Sequence, residues 1–451
     1  MPDVKDRHAA YLAAFERFEN GALSGAADWL LPMRKAAMAR FAELGFPTTR
    51  HEEWRFTNVA PLVRTEFDID GAGAADGQAK VTADQLKPYI LTGCQEATAV
   101  LVNGRFAPEL SSLGGLPKGV TVRSLVDAMA NDASRVEPHL GRYAEFADEA
   151  FTALNTAFLR DGVYLHVDRG VVCEQPIHLL YVWAGSNRPA AAFPRNLFVA
   201  EINSQATIVE THAGVGEGVR FTNLVTEIVA NDQAVVDHYK VLRESRSAFH
   251  VCDLRIQQDR NTDVRSHAIV LGGSLVRSNI HAVMDGEGGE CVLNGLTMIE
   301  GTQHVDHHLR VEHAKPHCRS WEYFKNILDD KSRTVFTGRI YVHPDAQKTD
   351  AKQTNMNLIL SDEAIADSKP QLEIFADDVK CTHGATIGQI DRDALFYLRS
   401  RGLNEEAARS LLVYAFASES VGAVRVAALR TQLEDMLFSR LGEGELIRGT
   451  K

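Results

Sequence analysis

Residues 290–342 read ECVLNGLTMIEGTQHVDHHLRVEHAKPHCRSWEYFKNILDDKSRTVFTGRIYV. Four short β-rich runs start in this stretch, near Glu290, His304, Cys318 and Arg333, and Asn, Asp and Gly residues separate them. Upstream, runs of the same texture start near Thr222, Ala234, Phe249, Asp263 and Leu275. The step is about 14 residues, and a fixed step is the mark of a repeat architecture. An antiparallel sandwich would place hairpin dipeptides at many of the turns. The turns here are irregular: Ser245-Arg246, Gly272-Gly273, Asp285-Gly286 and Asp329-Asp330. A β-solenoid, whose strands each stack on an equivalent one coil below, fits better, with two steps to a coil. The β-rich texture runs from about residue 156 to 388 and predicts a mainly β core.

Helical regions flank that core. In the first 155 residues, Ala9, Ala10, Leu12, Ala13, Phe15 and Phe18 recur at helical spacing, and a second helix is expected over Trp29 to Leu44, closed by Gly45-Phe46-Pro47. The segment Arg50-His51-Glu52-Glu53-Trp54-Arg55-Phe56-Thr57-Asn58 reads as a loop pinned by Trp54 and Phe56. Gly71 to Gly77 reads as a linker. Ala99 to Val102 with Asn103-Gly104 predicts a strand and turn, whereas Val122 to Met129 and Pro138 to Leu159 look helical. Residues 389–451 are expected to form a C-terminal helical domain. Asp391 caps one helix, Asn404 starts a second with Ala408, Leu411, Leu412, Ala415 and Phe416 on one face, and a third spans about Val424 to Leu441.

The β region ends on Val379-Lys380-Cys381-Thr382-His383-Gly384-Ala385-Thr386. On a strand, residues two apart share a face, so Cys381 and His383 point the same way, roughly 6–7 Å apart. A thiol and an imidazole on one rim can hold iron or sulfide. A lone pair of this kind is more often a small buried hydrophobe beside a satisfied core histidine.

Composition narrows the field. The net charge is −12 and no Lys/Arg block offers a phosphate-binding stripe, so nucleic acid is not an expected partner. No apolar run of about 18 residues predicts a membrane span, and the first residues do not resemble a signal or transit peptide, so a cytoplasmic location is expected. Six scattered cysteines without a C-x-x-C pair predict free thiols. Neither a G-x-x-x-x-G-K-[ST] loop nor a G-x-S-x-G elbow occurs. The histidine-rich run His304 to His313 admits a metal site. Alternation puts His307 and His313 among apolar residues and His304, Asp306 and His308 on the other face, which favours polar packing.

The segment Asp391-Arg392-Asp393-Ala394-Leu395-Phe396-Tyr397-Leu398-Arg399-Ser400-Arg401-Gly402-Leu403, together with Cys381 to Thr386, resembles the SufB/SufD family of iron–sulfur cluster assembly proteins. So do Tyr323 to Leu328 and Arg333 to Ile340, and His51 to Asn58 resembles the SufD branch. Gly384 matches the SufD pattern, where SufB has a glutamate. The resemblance implies a right-handed parallel β-helix with helices at both ends. It implies a non-catalytic scaffold subunit that pairs with a SufB-like paralogue through the β-helix. A SufC-like ATPase would dock on the C-terminal helices, for which Leu411, Leu412, Ala415 and Phe416 are the candidates. A transient iron–sulfur cluster would be shared with the partner, with His383 as its metal ligand and Cys381 as the neighbouring thiol. The SufB cysteine that receives sulfur aligns here with Met356, which cannot form a thiolate. Two alternatives stand beside this reading: a polysaccharide-active solenoid enzyme, and a homodimeric scaffold that works without SufB.

Overall fold

In the computed structural model, residues 4–22, 29–69, 81–185 and 187–442 are described. The expected linker at Gly71 to Gly77 lies outside them.

The core is a parallel β-solenoid whose strands fall into two sheets of ten strands each. Asp263 stacks on Glu290, Glu290 on Arg319, Arg319 on Asp350 and Asp350 on Lys380. In the facing sheet, Leu275 stacks on His304, His304 on Arg333 and Arg333 on Ile365. Each coil therefore takes about 30 residues, or two sequence steps, as the repeat spacing predicts. The observed strands Glu290–Ile299, His304–His313, Arg319–Leu328 and Arg333–Val342 start within a residue of the expected positions. Parallel pairing needs such crossovers, and here each crossover is the other sheet's strand. Left-handed turn residues end the strands where the sequence breaks: Gly273, Gly288 and Asp330 all have positive φ.

Alternation sorts each strand into a lumen column and an outer column. Cys291, Leu293, Phe324, Phe336, Leu309 and Val311 fill the lumen as one continuous apolar core. Across the coils, identical positions stack at about 4.8 Å, so lumen chemistry is inherited rung by rung.

The sheets begin earlier than residue 156. Thr98–Val102, Arg105–Phe106 and Val120–Ser124 already belong to them, and Asn103-Gly104, both at positive φ, makes the first hairpin. The helix expected from Val122 is a strand up to Ser124, because it pairs with Gly162–Val167; a helix follows over Leu125–Asn131. The helix expected over Pro138 to Leu159 is confined to Ala150–Ala157. The preceding loop is claimed by the core. The buried Glu227 carboxylate accepts hydrogen bonds from the backbone N–H groups of Gly141, Tyr143 and Ala144 (2.9–3.1 Å) and pairs with Arg195 at 2.7 Å. Those N–H groups are not available for helix bonds.

At the N-terminal side, helices Val4–Ala22 and Leu30–Leu44 build an aromatic cluster with Phe151 and Phe158, and Gly45 (φ 63°) ends the second helix. Residues 52–57 lie across the facing sheet. Arg277 stacks on Trp54 at 4.5 Å, Glu53 pairs with His308 at 2.9 Å, Thr57 bonds His304 (2.9 Å) and Asp306, and Glu52 pairs with Lys369 at 2.9 Å.

The C-terminal helices Arg392–Ser400, Glu405–Gly422 and Ala427–Arg440 follow the last strand. The side chains of Asp391 and Asn404 cap the first two, accepting from Asp393, Ala394 and Ala407 N–H groups. The second helix buries Val413, Ala417 and Val421 against the outside of the solenoid. Of the face expected from sequence, Ala408 is buried, Leu411, Leu412 and Phe416 are half-buried and Ala415 is exposed. The helix carries small apolar residues on several sides; Val413, Ala417 and Val421 meet the sheet beneath it, and most of the face expected from sequence stays partly open.

A thiol and an imidazole on an uncapped rim

Lys380–Gly388 is the last strand of its sheet, and only one of its edges is paired. Its register sets Cys381 on Ala351, His383 on Gln353, Ala385 on Asn355 and Ile387 on Asn357. Those four partners are buried lumen residues, while Lys352 between them is exposed. Cys381 and His383 therefore share the lumen side. Among the described residues no further coil lies over them, and the lumen is open at this end: His383 is exposed and Cys381 half-buried. Burial raises the Cys381 thiol's pKa, and the Asp350 carboxylate adds to the rise. In the isolated chain that sulfur is a thiol rather than a thiolate at neutral pH. Its side chain packs against a small buried apolar cluster that includes Ile340, Ala351 and Ala376.

The floor beneath the rim is polar. The Gln353 carboxamide donates to the Glu322 carboxyl at 2.6 Å, Asn326 donates to Asn357 at 2.8 Å, and Asn357 donates to Asn355 at 2.8 Å and to the Thr386 carbonyl at 3.0 Å. Burial raises the Glu322 pKa to about 8, so this group is a neutral acid at pH 7. Met356 sits on the opposite side of its strand, where its sulfur accepts from the Tyr323 hydroxyl at 3.5 Å; it does not join the rim.

The rim is bordered by apolar surface. Among the described residues, six of the eight exposed large hydrophobic side chains fall between 365 and 397: Ile365, Ile374, Phe375, Ile387, Phe396 and Tyr397. Clustered exposure of this kind marks an interaction surface. Sequence reading did not single out Phe396 (74 % exposed) and Tyr397. The available signal was a short helix with more large apolar residues than one buried stripe can take. The chosen docking candidates lie one helix further on. Phe416 is under the Lys325 ammonium (4.5 Å), which also binds Glu419 at 2.6 Å, and Leu411 packs beside Tyr414 and Phe438.

The histidine run divides as alternation predicts. His307 bonds Thr297 at 3.0 Å and His313 bonds Ser320 at 2.9 Å inside the lumen, while His304 and His308 meet the 52–57 segment outside. Among the described residues, no three His, Cys, Asp or Glu side chains converge as a metal cage. The rim brings together one imidazole and one thiol, fewer donors than a metal centre takes.

Comparison with known proteins places this geometry. Residues 181–416 match the SufBD core domain of SUF-system iron–sulfur cluster assembly, and residues 5–179 match the SufBD N-terminal region. The chain belongs to the SufBD family. It is 32% identical to the iron–sulfur cluster assembly protein SufD of Escherichia coli, over 92% of this chain and 93% of that one. It is 33% identical to an iron–sulfur cluster assembly SufBD family protein of Synechocystis, over 94% of each. A SufD of Bacillus subtilis is 25% identical over 91% of this chain and 93% of its own length. The expected family, the parallel β-solenoid core with helices at both ends, and a role in SUF cluster assembly all stand. Among the described residues, no helix is long and apolar enough to cross a membrane.

Proposed function

We propose that this SufBD-family chain is a non-catalytic scaffold subunit that contributes half of a cluster-assembly site. A SufB-like paralogue covers the open end of the solenoid. His383 supplies a nitrogen ligand to the nascent iron–sulfur cluster, which is cargo, and Cys381 stands beside it as the thiol. A SufC-like ATPase docks on the C-terminal helices, through the exposed Phe396 and Tyr397 and the outer parts of Leu411, Leu412 and Ala415. The observation that carries this reading is the uncapped last strand, which brings an imidazole and a thiol to the same lumen face inside a border of exposed apolar residues. Two unpaired strand edges at one end are a docking template that soluble proteins usually cover.

The test is co-expression with candidate partners, anaerobic purification, and assay of iron and sulfide. His383→Ala should leave the complex assembled and lower the cluster yield. Normal cluster assembly in cells carrying only that variant would refute the assignment. The same open edges support a second arrangement, in which two copies of this chain pair end to end when no paralogue is present. Mass measurement with and without the paralogue distinguishes the two.

A further inference from the structure

The lumen column that ends on His383 is built as a stack. Leu293, Glu322, Gln353 and His383 occupy the same register position on four successive strands of one sheet. Leu293 is the last apolar member; from there to the rim the column is polar. Glu322 and Gln353 are each 1 % exposed. Across the lumen, Gly338 stands where every neighbour in its column is larger. A Cβ on Gly338 would lie 2.2 Å from the Gln353 Nε2 and 2.6 Å from its Cδ. The Gln353 side chain therefore spans the whole lumen and lies flat on the Gly338 backbone, forming a floor. One end of its carboxamide is held by Glu322 at 2.6 Å. The other end, Oε1, has no partner, and Glu322 also keeps one oxygen, Oε1, without one. The free Oε1 also lies over Gly338, 2.8 Å from the same Cβ position, in the layer directly beneath His383. The next residue along the column is His383.

A buried polar atom without a partner is costly and calls for a reason, and one such reason is a group outside the resting chain that satisfies it. We infer that Gln353, seated on Gly338 and held by Glu322, is a positioning residue that hydrogen-bonds the cargo bound at Cys381 and His383 from below. This inference rests on the scaffold reading above. The floor can present either polarity. Rotating the carboxamide by half a turn gives its oxygen to the Glu322 acid, which then donates, and turns the NH2 group to the rim. Amide N–H groups aimed at a bound sulfur stabilise charge on it, and hydrogen bonds to cluster sulfurs are among the factors that set a cluster's potential and lability. Gly338 has an ordinary negative φ, so its requirement is for space alone.

The test uses the full chain purified anaerobically with its co-expressed partners and loaded with ferrous iron and sulfide. Gln353→Leu keeps the volume of the floor and removes its hydrogen bonds. It should load the cluster, shift its visible circular dichroism and reduction potential, and shorten its lifetime against a chelator about 3–10-fold. Gly338→Ala leaves Gln353 chemically intact but displaces it, and should reproduce the same spectral shift. If Gln353→Leu fails to fold, Gln353→Met and Gly338→Ala are read in its place. A folded floor variant with wild-type spectrum, potential and lifetime overturns the inference. If wild type loads but His383→Ala loads equally well, the scaffold reading of His383 fails instead. A wild-type complex that takes up no iron and sulfide overturns both.

Discussion

The chain contains two thiol–imidazole pairs of the same local design, and they have opposite surroundings. His250 and Cys252 are two apart on one strand, as Cys381 and His383 are on another. Both pairs face the lumen. The first lies in mid-stack and is sealed; Cys252 is 1 % exposed and His250 is fully buried. Burial alone would push the Cys252 thiol up, but the Lys240 ammonium and His250 outweigh it and bring the pKa to about 7. His250 is likewise pushed down by burial and drawn up to about 9, chiefly by Glu244 at 2.8 Å. The rim pair has no such field, and its thiol is raised. The sealed sulfur is thus the more acidic and the less reachable of the two. Reactivity needs both thiolate character and access, so identical spacing on a strand carries no function until the rung's place in the stack is known.

The contrast can be broken most severely from inside. Lys240 contacts Glu210 at 3.5 Å and faces Cys252 in the sealed cluster. Lys240→Met leaves a buried carboxylate without its cation and should cost about 3–5 kcal/mol in urea unfolding. A loss under 1 kcal/mol would mean that water reaches the cluster. Next in size is a pH effect beneath the rim. Glu322 is raised from 4.5 unfolded to about 8 folded, so the folded state holds the proton more tightly. Its contribution is complete below pH 4.5 and is lost as pH rises through 8, a decline of at most about 5 kcal/mol in that window. Glu322→Gln should flatten that part of the stability–pH curve; a variant curve parallel to wild type would contradict the buried-acid assignment.

Labelling sharpens the comparison at smaller energetic cost. A thiol reagent at pH 8 should modify Cys381 at least tenfold faster than Cys252, which should react only on unfolding. Cys381→Ser should remove the fast phase and change stability by under about 1 kcal/mol. Mass mapping that finds Cys252 labelled first in folded protein would reverse the assignment of sealed and open. The smallest stability effect is expected at Phe396→Ser with Tyr397→Ser, within about 0.5 kcal/mol because both side chains are exposed. The same double variant should reduce ATPase co-purification, and full recovery of the ATPase would move the docking surface elsewhere.

The solenoid was legible because every rung repeats the same alternation and breaks at the same interval, so the error in strand starts did not accumulate. The rim pair was legible for the same reason: Cys381 and His383 must share a face on any strand. Alternation does not say which face is the lumen, nor what lies one coil above. Gln353 and Glu322 are about 30 residues apart in sequence, and only the inter-strand register joins them to His383. The loop before Ala150 was misread because Glu227, a distant carboxylate, claims its N–H groups. The side of Glu405–Gly422 that meets the sheet was not legible, because small apolar residues such as Ala417 fit against a sheet as readily as Leu does.

A one-dimensional stack frays from its ends, since a terminal rung has a neighbour on one side only. Here residues 52–57 tie Arg277, His308 and Lys369 together, and so bind the last strand of the facing sheet to strands deeper in the pile. That brace holds the outermost rung in register before any partner arrives. In the proposed complex, ordering costs of association would then be largely met within the monomer, and the surface would meet a partner as a rigid edge rather than as a segment that folds on contact.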